Sequence, residues 1–132
     1  MKVMLDTNIC IYIIKRRPES VLQRFGFFPV GEIGISAITL TELEYGAAKS
    51  AQPKQNHGAL EQFISPLHVA AFDRQATEVY GRIRTTLEKA GRPIGARDLL
   101  IAAHALSLGV RLVTNNEKEF KRVPGLRVEN WA

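Results

Sequence analysis

The sequence predicts an α/β fold, with a central parallel sheet and helices on both of its faces. Short apolar runs of strand type recur along the chain, each followed by a stretch of helical composition, and this alternation implies parallel strands joined by helical crossovers. Strand-type runs also end on residues that favour helix starts, as at Asp6-Thr7-Asn8. The 132 residues are 45% hydrophobic and 23% charged, enough for one compact core and too few for two ordinary domains, so residues 1–132 are read as one domain.

Lys2 to Leu5 is the first strand, stopping abruptly at Asp6. Ile9 to Lys15 carries apolar residues on nearly every side, as a short buried helix does, and Arg16-Arg17-Pro18 breaks it. A second short helix is expected from about Pro18 to Phe25. Ile33 to Ser36 is the second strand, and Thr39 to Lys49 has helical composition. Pro53 opens another helical stretch that ends near Ser65-Pro66. Leu67 to Phe72 is the third strand, after which Asp73 can cap a long helix that stops at Gly91-Arg92-Pro93. Ala96 to Leu108 is a near-continuous apolar helix closed by Gly109. Arg111 to Thr114 is a fourth strand, and Leu126 to Val128 a candidate fifth. No repeat, linker or low-complexity segment interrupts this order.

Bulk properties exclude several classes. No apolar stretch reaches the roughly 20 residues needed to span a bilayer, and Asp6 arrives too early for a signal peptide's apolar region. The expectation is a cytosolic protein with no membrane association. The single cysteine, Cys10, has no partner for an internal disulfide and reads as a small buried hydrophobe. His57, His68 and His104 lack metal-ligand spacing, and structural roles are expected for them. A net charge of +5 favours a polyanionic partner at long range, although a solvated positive face explains it equally simply.

Acidic residues carry the chemical signal. Ligands of open α/β sheets collect beyond the carboxyl ends of the strands, where the strand order reverses. Asp6 lies at such an end, Glu42 in the helix after the second strand, Asp98 near the start of the apolar helix, and Asn116 just beyond the fourth strand. Asp98 borders Leu99-Leu100-Ile101-Ala102-Ala103, and burying a lone carboxylate costs several kcal/mol or forces its protonation. A hard divalent cation compensates it: Mg²⁺ takes carboxylate oxygens at about 2.0–2.1 Å, keeps several waters and needs one or two direct protein ligands. Asp6 and Asp98 are the expected direct ligands, with Glu42 nearer the waters. Each has an ordinary alternative, Asp6 as a helix cap, Glu42 as a solvated helix residue and Asp98 as an ion-pair partner of Arg92 or Arg97.

Four strings carry a wider pattern: Met4-Leu5-Asp6-Thr7-Asn8, Ile38 to Ala47 around Glu42, Pro93 to Ala105 around Arg97-Asp98, and Val113-Thr114-Asn115-Asn116-Glu117-Lys118-Glu119-Phe120. In this order, and down to Val123-Pro124-Gly125-Leu126 and Glu129-Asn130-Trp131, the chain resembles the VapC-type toxins of the PIN-domain family. The resemblance implies a PIN-like fold and a Mg²⁺- or Mn²⁺-dependent endoribonuclease acting as the toxin of a type II toxin–antitoxin pair. It also implies a VapB-type antitoxin that binds operator DNA, a homodimer, and initiator tRNA, cut in the anticodon loop, as substrate. The family's acidic positions map onto Asp6, Glu42 and Asp98. The fourth differs: where many PIN domains place an aspartate, this chain has Asn116, with Glu119 three residues on to supply charge, and a second tightly held metal is therefore not implied.

On this reading Asp6 and Asp98 fix the metal and Glu42 orients or deprotonates a water. Arg82, Arg84, Lys89, Arg92 and Arg97 cluster ahead of and beside Asp98 and are candidates to line the RNA path, against an ordinary solvated helix face. Tyr45 and Tyr80 could stack on unpaired bases, but core packing is the expected use of both. The stretch Phe25-Gly26-Phe27-Phe28-Pro29 either exposes apolar surface for a partner or closes the core. A phosphoryl-accepting receiver, another doubly wound fold, wants an acidic pair after the first strand, and Asp6 has none. No GxxxxGK[ST] loop is present, which argues against a nucleotide hydrolase. The non-enzymatic alternative is a catalytically weak module of the same fold that binds RNA or the antitoxin.

Overall fold

The computed structural model describes all 132 residues and contains five strands and seven helices. In chain order they are β1 (Val3–Leu5), α1 (Thr7–Ile14), α2 (Glu19–Gly26), β2 (Ile33–Ser36), α3 (Ala37–Lys49), α4 (Pro53–Ile64), β3 (His68–Ala70), α5 (Arg74–Lys89), α6 (Ala96–Leu108), β4 (Arg111–Val113), α7 (Glu117–Phe120) and β5 (Val128–Glu129). The sheet is parallel throughout, in the order β3-β2-β1-β4-β5. Because the order turns back between β1 and β4, the switch point lies beside the carboxyl end of β1.

Alternation along each strand sorts side chains to two cores. Val3, Leu5, Ile33 and Ile35 pack with Ile9, Ile13, Leu43, Leu60 and Phe63 under α1, α3 and α4. Met4 and Leu112 face the other way, onto Ile83 and Leu87 of α5, Ala102 and Ala105 of α6, and Phe120. Both faces are thus covered, and this is why the central strand β1 is apolar and buried along its whole length. At Gly34 a Cβ would come within 2.7 Å of the His68 carbonyl, so β2 and β3 pair closely only because this residue is glycine.

Helix boundaries follow from their caps. Asp6, Ser36 and Asp73 accept backbone N–H bonds from Ile9, Ile38 and Ala76 at 2.9–3.0 Å, opening α1, α3 and α5. Gly109 ends α6 in the left-handed conformation at φ +67°, where a Cβ is strained. Helix α3 begins at Ala37, two residues before the expected Thr39, because Ser36 caps it directly after the strand. The fifth strand falls at Val128–Glu129 and α7 is an additional short helix. No helix is long and apolar enough to cross a membrane.

Cys10 is buried, as expected. Tyr80 packs against the α5–α6 core, whereas Tyr45 is 60% exposed, with the Lys49 ammonium 4.7 Å from its ring centre. The core expectation therefore fails for Tyr45: its helix turns that face to solvent. The Phe25–Pro29 stretch does both things at once, since Phe25 and Phe28 pack onto the core while Phe27 is 79% exposed.

Candidate active site

A cleft of about 450 Å³ opens at the β1 end of the switch point, lined by Asp6, Thr7, Asn8, Glu42, Gly95, Ala96, Arg97, Asp98 and Ile101. Three separate parts of the chain meet there: the start of α1, the middle of α3 and the first turn of α6. The crossovers bring them together, and no short stretch of sequence does so.

Asp6 is the most buried of the acids, at 5% exposure. It is both a cap and a wall of the cleft: its Oδ1 accepts the Ile9 N–H at 2.9 Å, and the Thr114 hydroxyl and Asn8 N–H also favour its charged form. Burial outweighs these bonds and raises its pKa. Asp98 is half-buried rather than enclosed by its apolar neighbours. Its carboxyl is nevertheless pushed up to about 6, first by burial, then by the charges of Glu119 and Asp6, with Arg97 opposing. The Glu119 carboxylate favours the protonated form of Asp98 as an acceptor as well as through its charge. Glu119 moves the other way, chiefly because it accepts the Gly95 N–H at 2.8 Å, with Asn116 Nδ2 donating to its other oxygen at 3.0 Å. Asn116 is accordingly an orienting partner of Glu119. Glu119 in turn latches α7 to the loop before α6.

Glu42 faces the cleft from α3, but its carboxylate is engaged by Arg97 across the opening. The expected trio therefore shares one cleft without closing around one point, and no three His, Cys, Asp or Glu side chains are gathered into a ready cage. The donor set still suits a hard cation. Asp6 and Asp98 repel each other in a partly desolvated site whose nearest guanidinium is taken by Glu42, and Mg²⁺ asks for only one or two carboxylates with water filling the rest.

Of the basic residues, the structure brings only Arg97 to the cleft. Arg84 turns to Glu88 and the Tyr80 hydroxyl, in a separate pocket between α5 and α6. Arg82, Lys89 and Arg92 are exposed outside the cleft lining. The arginines of α5 do not form a continuous track to Asp98, because helical spacing distributes them around the helix. Sequence reasoning missed Thr114, Asn8 and Gly95. Thr114 left a readable signal, a polar residue closing an apolar strand; the others left none. Among the histidines, His104 is 1% exposed, His68 lies exposed on the edge strand, and His57 sits 3.5 Å from Glu44.

Comparison with known proteins is consistent along the whole chain. The PIN domain family model matches residues 3–126. The tRNA(fMet)-specific endonuclease VapC of Shigella flexneri is 48% identical over 132 residues, covering 100% of this chain and 99% of the relative. Ribonuclease VapC2 of Rickettsia felis is 47% identical, covering 99% and 98%. Among solved structures, the DNA-bound VapBC of Salmonella typhimurium superposes with a TM-score of 0.94 at 48% identity, covering 100% of this chain and 99% of that one. The VapBC2 complex of Rickettsia felis with a fragment of its promoter DNA gives 0.92 at 44% identity, with both chains fully covered.

Proposed function

The chain belongs to the PIN-domain family, among its VapC-type ribonucleases, and from that premise we propose that it is the toxin of a type II toxin–antitoxin pair, a divalent-metal-dependent endoribonuclease using Mg²⁺ or Mn²⁺. The observation that carries the proposal is that Asp6 and Asp98 line one cleft beside the sheet's switch point, with the Asp98 carboxyl pushed up to about 6 by burial and by the charges of Glu119 and Asp6. Carboxylates crowded in this way cost free energy that a bound cation offsets.

Asp6 and Asp98 would hold the ion, with Asp6 fixed by α1 and Asp98 by the first turn of α6. A divalent cation there supplies positive charge against the charge developing on the phosphate. Arg97 is the residue free to change partners: when an RNA phosphate enters, the guanidinium can leave Glu42 for a phosphate oxygen. Glu42 is then released to take the proton of the attacking water, whose oxygen bonds to phosphorus as the leaving oxygen departs and is protonated from solvent. Glu119 and Asn116 hold the α6 entrance in place and tune Asp98.

The substrate we propose is tRNA, initiator tRNA in particular, by analogy with the specificity named for the Shigella relative. The proposed partners are a VapB-type antitoxin, through which operator DNA is bound, and a second copy of the chain; the VapBC complexes on DNA support the first. The test is incubation of the purified protein with total tRNA and Mg²⁺, with and without EDTA, alongside Asp98→Asn. Metal-dependent cutting by the wild type alone, with the ends mapped to one tRNA loop, is the expected outcome. Equal RNA binding by both proteins with no cutting by either would favour the binding module.

A further inference from the structure

Helices α3 and α6 face one another across the cleft, and their residues fall into matched steps. At the open end Glu42 of α3 meets Arg97, the neighbour of Asp98 on α6. Six residues before Glu42 and seven after Arg97, about 9 and 10 Å along the two axes, Ser36 meets His104. The residues midway, Thr39 and Ile101, are buried at 0% and 2% exposure. The two helices are thus joined at two levels, and the acids of the cleft belong to the outer one.

The inner junction is a hydrogen bond of 2.7 Å between Ser36 Oγ and His104 Nδ1, with both residues at 1% exposure or less. The same Ser36 oxygen accepts the Ile38 N–H at 3.0 Å and so caps α3. An oxygen that accepts there still has its own proton to give, and Nδ1 of a neutral imidazole can accept it. His104 is kept neutral in the interior by burial, which lowers its pKa. The Ala71 backbone carbonyl favours a ring N–H, while Nε2 meets no partner at ordinary hydrogen-bond geometry. The imidazole and the Phe72 ring meet nearly at right angles, with centroids 5.2 Å apart at 75°. A histidine offering one nitrogen to a helix cap and satisfying the other at best weakly, through the Ala71 carbonyl, is an expensive way to fill a core. Packing alone is served better by leucine.

We propose that the Ser36–His104 bond is a positioning device for the cleft: it locks the first turn of α3 against the middle of α6 and so sets the separation of Glu42 from Asp98. Both residues act through the helices that carry the acids. The proposal rests on the assignment of Glu42 and Asp98 given above. Because the cap and the lock share one oxygen, movement at either is transmitted to α3 as a rigid element, over less than two turns, to Glu42.

The test uses His104→Leu, His104→Asn and Ser36→Ala in the full chain. Single-turnover cleavage at saturating tRNA should fall at least tenfold in His104→Leu and Ser36→Ala while tRNA affinity stays within about twofold. His104→Asn, whose side-chain amide can still bond Ser36 Oγ, should recover most of the rate. The double variant Ser36→Ala/His104→Leu should be no slower than the slower single variant, because both remove the same link. Mn²⁺ affinity, followed by the ion's magnetic resonance without RNA, should weaken severalfold in the same two variants and recover in His104→Asn. A folded His104→Leu protein with unchanged saturating rate and Mn²⁺ affinity would overturn the proposal, as would a loss that His104→Asn does not repair. Should His104→Leu fail to fold, Ser36→Ala and His104→Asn decide the matter by the same readouts. A wild type that binds Mn²⁺ but cuts no RNA would count against the proposed function, and the Mn²⁺ comparison would then decide the positioning role by itself.

Discussion

Helices α3 and α6 are tied at two ends, and the ties differ in kind. The inner one, Ser36 to His104, is a neutral hydrogen bond sealed in the core; the outer one, Glu42 to Arg97, is an ion pair whose arginine side chain is 68% exposed. A buried polar bond is costly to break because neither partner finds water, whereas an exposed ion pair exchanges readily with solvent or another anion. The first suits a fixed reference point. The second suits the exchange of partners proposed for Arg97. The cleft lies at the labile end, and its precision is inherited from the rigid one.

The largest expected effect comes from removing the chemistry and leaving both ties. Asp98→Asn should lower the cleavage rate by more than about 10²-fold, the scale lost when a positioned acid or base is removed, and its melting temperature should not fall, since the crowded carboxylate disappears. A cleavage rate close to wild type would remove Asp98 from the site. Urea denaturation compares the ties directly. His104→Leu should cost about 1–3 kcal/mol and Arg97→Ala less than about 1 kcal/mol; equal costs would mean that the two ties do not differ in strength.

A smaller effect separates them by pH. His104 has its pKa lowered in the folded state, so the neutral form is the one the fold favours. Its contribution is complete above the ordinary value of 6.5 and is lost as pH falls through the lower folded value. Wild type should therefore lose stability below about pH 6.5 with a slope that His104→Leu flattens. A slope unchanged by that substitution would assign the titration elsewhere. Smallest is the response to salt: raising ionic strength to about 1 M shortens the screening length to about 3 Å, which should erase the small cost of Arg97→Ala and leave that of His104→Leu intact. Denaturation curves at the two salt levels provide the check.

Much of this molecule is legible in short stretches. Asp6 and Asp73 stand where helices begin, Gly109 where one ends, and apolar runs give the strands to within a residue or two, whereas Ser36 reads as a strand end and its role as a cap shows only in the fold. Caps and periodicity act within one turn, so they survive in sequence order. Helix α7, at four residues, is too short to show a period. Asp6, Glu42 and Asp98 were recognisable as a set from the strings around them. Asp98 was expected to be the buried acid, and Asp6 is, because it sits at the mouth of the central strand while Asp98 occupies an exposed helix start.

By itself, then, the sequence determined the α/β class, the order of the elements, the parallel sheet and the identity of the acids, since each depends on residues near in the chain or on a familiar string. Only the tertiary structure decided that Glu42 is held by Arg97, 55 residues away, that Glu119 latches the Gly95 loop, and that His104 bonds Ser36 across 68 residues. Those contacts follow from the strand order β3-β2-β1-β4-β5, which folds α3 and α6 to either side of one opening. No local pattern encodes that meeting, because the free energy that fixes it is spread over two cores packed on opposite faces of the sheet.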